Sequence, residues 1–119
     1  MHTILVVDDD AAVRRPIARL LGFEGFQVVE ASDGQEALTR LQAGPGVAAI
    51  LLDLRMPVMD GWAFRAIQRS DPRFADIPVI VISGADSDRF NELGAVAALE
   101  KPVTVSSVIR LLRDLLPNQ

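Results

Sequence analysis

Ile50-Leu51-Leu52-Asp53-Leu54-Arg55-Met56-Pro57-Val58-Met59-Asp60-Gly61 begins as an unbroken apolar run and stops on a carboxylate. The run predicts a strand over Val47–Asp53 that is buried on both faces. Pro57 and Gly61 make the chain turn straight after it. Asp53 is therefore expected at the rim of a sheet, which in an open α/β fold is where ligands bind.

The same grammar recurs outward from this stretch. Thr3–Val7 is a β-branched run that ends in Asp8-Asp9-Asp10. Pro78–Ser83 is a third such run and ends on a hydroxyl, and Ala95–Glu100 is a fourth, followed by Lys101-Pro102. Phe26–Ala31 alternates more and reads as an edge strand. Helical spacing fills the gaps. One helix is predicted over Ala11–Phe23, capped by Asp10, with Val13, Ile17, Leu20 and Leu21 inward. Pro16 suits it only if it falls in the first turn, where N–H groups lack partners anyway. A second is predicted over Gln35–Ala43 with Ala37, Leu38 and Leu41 inward, and a third over Trp62–Arg69. A short fourth covers Ser87–Leu93. A last helix runs from a Thr104 cap to Leu116, with Val105, Val108, Ile109, Leu112 and Leu115 on its apolar stripe. Strand and helix alternate throughout. That pattern predicts an α/β fold: a single doubly wound (βα)5 flavodoxin-like domain with a parallel sheet in the order 2-1-3-4-5 and a shortened fourth helix.

Composition narrows the classes. The 119 residues, half of them hydrophobic, suit one domain over 1–119 with no output domain, and with five Phe and one Trp the core must be mainly aliphatic. No cysteine is present, which excludes a disulfide framework and a Cys-based zinc site and fits a cytoplasmic protein. A net charge of −4 argues against direct nucleic-acid binding. No apolar run approaches the roughly 20 residues of a membrane helix. With no basic n-region and long h-region ahead of Ile4-Leu5-Val6-Val7, no signal peptide is expected.

In the expected strand order, five groups converge at one rim: Asp8, Asp9, Asp53, Ser83 and Lys101. Three crowded carboxylates repel unless a cation sits among them. Their all-oxygen character favours Mg²⁺. Such a cation beside a lysine and a hydroxyl suits a transferring phosphoryl group. There is no Walker loop and no Gly-x-Gly-x-x-Gly, so a nucleotide is not the obvious donor. An Asp can itself be the nucleophile.

Four motifs now stand in order at strand ends: Val6-Val7-Asp8-Asp9-Asp10, Asp53-Leu54-Arg55-Met56-Pro57 with Met59-Asp60-Gly61, Val81-Ile82-Ser83-Gly84, and Glu100-Lys101-Pro102. Over essentially its whole length the chain resembles a response regulator receiver domain of two-component signalling, similar to the chemotaxis-type, CheY-like receivers. The resemblance implies that Asp53 is the phosphoacceptor, attacking a phosphohistidine on a sensor histidine kinase or a histidine phosphotransfer protein. It implies Mg²⁺ bound by Asp9 directly, by Asp8 through a water, by Asp53 and by the backbone carbonyl of Arg55. Ser83 would donate a hydrogen bond to the phosphoryl group and Lys101 would pair with one of its oxygens. The Lys101-Pro102 peptide would be cis. Such a protein catalyses only its own phosphorylation and slow dephosphorylation, acts as a switch or a relay on a downstream protein, and is a monomer or weak homodimer.

Two departures fall on one face. The family's switch aromatic lies three residues before the lysine, where this chain has Ala98. Ser83 to Lys101 spans 18 positions (101 − 83), about one helical turn short of the family's usual spacing. The alternatives are a pseudo-receiver that binds partners without phosphorylation and a haloacid-dehalogenase-like phosphatase. The phosphatase wants a second Asp two positions after the nucleophile, where Arg55 stands, and a cap domain for which there is no room. A flavin carrier would need a phosphate-cradling loop. The Arg55 side chain occupies a position where receivers tune dephosphorylation or simply meet solvent. Trp62 reads as packing near the site. A single His2 cannot build a metal centre.

Overall fold

The computed structural model describes residues 2–44, 46–84 and 93–117. Five strands, β1 (Thr3–Val7), β2 (Gln27–Ala31), β3 (Val47–Asp53), β4 (Val79–Ser83) and β5 (Ala97–Glu100), form one sheet in the order β2-β1-β3-β4-β5. Every pairing is parallel. The described helices are α1 (Ala11–Phe23), α2 (Gly34–Ala43), α3 (Gly61–Ser70) and α4 (Val105–Leu115). The doubly wound topology and strand order are those expected from the alternation. The short helix expected over Ser87–Leu93 lies almost wholly outside the described residues; Leu93 itself sits in the turn before β5. Among the described residues no helix is long and apolar enough to cross a membrane.

The unbroken apolar runs have a direct cause. Successive strand side chains point to opposite faces, and both faces are covered. Leu5, Val7, Ile50 and Leu52 pack with Leu38 and Leu41 of α2 and Phe64 of α3. Ile4, Val6, Ala49 and Leu51 pack with Ile17 and Leu21 of α1 and Val108 and Leu112 of α4. The central strands β1, β3 and β4 therefore need apolar residues at almost every position, whereas the edge strands β2 and β5 keep polar and exposed ones.

Helix starts follow the caps. Asp10, Asp33, Asp60 and Thr104 accept hydrogen bonds from the backbone N–H of Ala12, Glu36, Ala63 and Ser107. Two expectations are corrected, and the condition set for Pro16 is not met, because it lies in the second turn of α1. Its missing N–H leaves the Ala12 carbonyl without its usual helical donor, and both residues are exposed, so water can serve that carbonyl. Leu20 is largely exposed while Ala18 is buried, because α1 lies over β1 and β2 and turns Leu20 to its outer flank. Leu115 is also exposed, and Leu111 packs on the core instead.

Candidate functional site

Register delivers the rim residues. Val7 pairs with Leu52, so Asp8 and Asp53 leave neighbouring strands at the same level. Ser83 pairs with Glu100, and the Lys101 N–H donates to the Ser83 carbonyl at 2.8 Å. The Lys101-Pro102 peptide is cis. One carboxylate oxygen each from Asp8, Asp9 and Asp53 lies within 4.8 Å of the others. The Lys101 ammonium stands 3.1 Å from Asp8 Oδ2 and 3.5 Å from Asp53 Oδ2. Asp8, Asp53 and Ser83 are buried, whereas Asp9 is exposed.

This crowding moves the acceptor's proton affinity. Burial, then the neighbouring charge of Asp8, raises the Asp53 carboxyl to about 6; Lys101 and a hydrogen bond from the Leu54 backbone oppose the rise, and Asp9 adds to it. For Lys101 burial pulls downward. The hydrogen bond to Asp8 and the charge of Asp53 together outweigh it and hold the ammonium above the ordinary lysine value. The site is therefore short of positive charge. Three oxygen donors this close, with one ammonium among them, fit a hard divalent cation of the Mg²⁺ kind.

The loop after Asp53 is tightly held. The Gly61 N–H donates to the Leu54 carbonyl at 2.9 Å. A Cβ at Gly61 would lie 2.6 Å from the Asp53 carbonyl oxygen and 2.8 Å from Leu54 Cα. The start of α3 thus abuts the backbone of Asp53. Met59 N–H closes a γ-turn on the Pro57 carbonyl at 2.7 Å, and Val58 at its centre has φ 68°. The Gly34 N–H fastens the turn through the Met59 carbonyl at 2.9 Å.

The structure brings Asp8, Asp9, Asp53 and Lys101 together, with Ser83 at the end of the adjoining strand. The Arg55 side chain is exposed. Ala98 lies exposed on the edge strand β5. Trp62 is half-buried against the α2–α3 core. His2 Nε2 contacts the Pro117 carbonyl at 3.1 Å and takes no part in the rim. Arg14 was not foreseen. Its guanidinium donates to the Asp8 carbonyl at 2.7 Å and to Glu30 Oε1 at 2.9 Å, bracing the end of β1 from α1 and β2. The available signal was an arginine one turn beyond an acidic strand end. A groove of about 520 Å³ beside Lys101 is lined by Val13, Pro16, Ile17, Pro102 and Val103.

Residues 4–113 match the pattern of the response regulator receiver domain family. The response regulator MprA of Mycolicibacterium vanbaalenii is 40% identical over 117 residues, covering 95% of this chain and 49% of that protein. The chemotaxis protein CheV3 of Helicobacter pylori is 34% identical over 111 residues, covering 82% of this chain and 36% of that protein. The chain therefore spans half or less of the length of these curated relatives. Among solved structures, a response regulator receiver protein from Pseudomonas putida superimposes with a TM-score of 0.88 at 29% identity, covering 95% of this chain and 96% of that one. The chemotaxis response regulator CheY4 of Vibrio cholerae superimposes with a TM-score of 0.86 at 27% identity, covering 98% and 99%. The chain belongs to the response regulator receiver domain family of two-component signalling.

Proposed function

We propose that Asp53 accepts a phosphoryl group from a phosphohistidine of a sensor histidine kinase or histidine phosphotransfer protein, and that the modified chain acts on a downstream protein as a switch or a relay. The observation that carries this reading is the juxtaposition of Lys101 with Asp8 and Asp53 inside a cluster of three carboxylates. An Asp53 carboxylate oxygen forms the new P–O bond. The P–N bond to the donor imidazole breaks, and its electron pair returns to the ring. Lys101 pairs with a phosphoryl oxygen, and the Ser83 hydroxyl donates a hydrogen bond to another. Asp8, Asp9, Asp53 and the backbone carbonyl of Arg55 would hold Mg²⁺, whose charge offsets that of the carboxylates and the incoming phosphoryl oxygens. The groove beside Lys101 leaves the rim approachable from the α1 side. The absence of cysteine suits a cytoplasmic setting. The reaction modifies the chain itself and turns over no separate substrate except through slow dephosphorylation.

Intact-protein mass after incubation with acetyl phosphate and Mg²⁺ tests the reading. Wild type is expected to gain a single phosphoryl group, Asp53→Asn none, and wild type with a chelator none. Full labelling of Asp53→Asn would refute the acceptor. Unchanged labelling under chelation would refute the metal. No labelling by acetyl phosphate or by a phosphorylated histidine kinase would leave the pseudo-receiver.

A further inference from the structure

Arg65 and Gln68 on α3 are buried polar residues that the rim chemistry does not use. Arg65 Nε donates to the Leu93 carbonyl at 2.8 Å, Nη2 to the Gly94 carbonyl at 3.2 Å and Nη1 to Gln68 Oε1 at 2.8 Å. Gln68 Nε2 in turn donates to the carbonyls of Phe74 at 2.9 Å and Ile77 at 3.2 Å. None of these acceptors is a carboxylate. Among the described residues the buried guanidinium is held by neutral oxygens, a costly arrangement, and an aliphatic side chain could fill the same volume. What the guanidinium adds is direction: its rigid fork fixes two backbone carbonyls at once.

The two carbonyls belong to the turn leading into β5. Gly94 adopts φ 63° there, and two residues later the Val96 N–H donates to the Val79 carbonyl at 3.0 Å. At its other end α3 abuts the acceptor's backbone, because Gly61 leaves no room for a Cβ beside the Asp53 carbonyl. Arg65 lies about 6 Å further along the helix, at 1.5 Å per residue. One short, capped helix therefore touches the backbone of Asp53 at its start and the β5 lead-in one turn later.

We propose that α3, through Arg65, couples the state of Asp53 to the turn before β5. Arg65 is then a positioning residue for the output of the modification. This rests on the reading of Asp53 as acceptor. A phosphoryl group on Asp53 changes its pull on Lys101 and Asp8, and shifts the strand end against which Gly61 is packed. α3 moves as a rigid rod, and the Arg65 fork carries the shift to Leu93 and Gly94. Packed elements pass on small displacements because they cannot deform continuously. The route needs no aromatic at position 98.

The test uses the whole chain with and without acetyl phosphate and Mg²⁺, and reads hydrogen exchange of the Val96 amide by NMR. Intact mass of the same samples establishes the phosphoryl group. In wild type the Val96 exchange rate is expected to change roughly threefold or more between the two states. In Arg65→Met the labelling is expected to persist and the change to vanish. Arg65→Lys keeps the charge and one donor, and decides the matter if Arg65→Met does not fold; its change is expected to fall below that of wild type. A merely structural Arg65 would lower stability in both states alike and leave the ratio between them intact. A labelled wild type with no change at Val96, or a change of wild-type size in either variant, would overturn the coupling while leaving the acceptor in place. A wild type that takes no label from acetyl phosphate or from a phosphorylated histidine kinase would overturn both.

Discussion

Asp53 and Arg65 are both buried charged side chains, 5% and 7% exposed, and they stand in opposite company. Asp53 faces two further carboxylates and one ammonium. Among the described residues Arg65 faces three oxygens that carry no net charge. The Asp53 carboxyl is pushed up to about 6, chiefly by burial and then by Asp8. The Arg65 guanidinium is pulled below its ordinary value by burial and by Arg69, yet its donors are served from within the chain. An unbalanced cluster marks a place where something binds. A satisfied one marks a place where something is held.

The sharpest way to break the contrast is at the residue that joins the two regions. Gly61→Ala would drive a methyl group against the Asp53 carbonyl and Leu54 Cα, both backbone atoms, and should cost about 3 kcal/mol in chemical denaturation. A loss below about 1 kcal/mol would mean that α3 can slide, and the rod would not be rigid. Arg65→Met should cost about 2–3 kcal/mol, because it strands the Leu93 and Gly94 carbonyls and Gln68 Oε1. A neutral result would show that the fork is ornamental to stability.

At the rim the sign reverses. In metal-free buffer Asp53→Asn should gain about 1–2 kcal/mol at pH 8. The folded carboxyl at about 6 holds its proton more tightly than the unfolded one at 3.8. Wild type therefore loses stability as pH rises from about 4 through 6, and the neutral amide does not. The advantage of the variant should open across that window and level off above it. Equal stability of the two proteins at pH 8 in a melting series would show that the carboxylates are not in conflict. Val58→Asn should give the smallest effect, a gain of about 1 kcal/mol in the same denaturation assay, because a β-branched residue is strained at φ 68° and asparagine tolerates that region. A loss would mean that the exposed Val58 side chain holds the loop between the two regions.

Legibility divides along the same line. The strands, their order and the rim residues could be read because each run of Val, Ile and Leu ends on a polar residue followed by a turn, and a parallel sheet puts all such ends together. Boundaries drifted by a residue or two where the sequence offered a choice, as at Gly34, which enters α2, and at Ala95, which stays outside β5. Pro16 reads as awkward because helix interiors rarely admit proline, and an exposed second turn admits it. Arg65 and Gln68 escaped because arginine and glutamine on a helix read as solvent-facing. A geometric signal was nevertheless present. Gly61, Phe64, Arg65 and Gln68 follow the i, i+3, i+4, i+7 spacing of a buried stripe, and those four residues are the ones α3 buries. Ile67, the more hydrophobic choice, lies off that stripe and is exposed. Periodicity outranked hydropathy there.

The half-buried Trp62, next in sequence to Gly61, has a practical consequence. The chain contains one tryptophan and no tyrosine. Emission excited in the near ultraviolet therefore comes from a single indole, one residue beyond the glycine that abuts the Asp53 backbone. The protein carries its own optical gauge at the joint between rim and helix. If Asp53 is modified as proposed, stopped-flow records of its intensity would test for cation arrival and modification in real time, with no added dye and no second emitter to subtract.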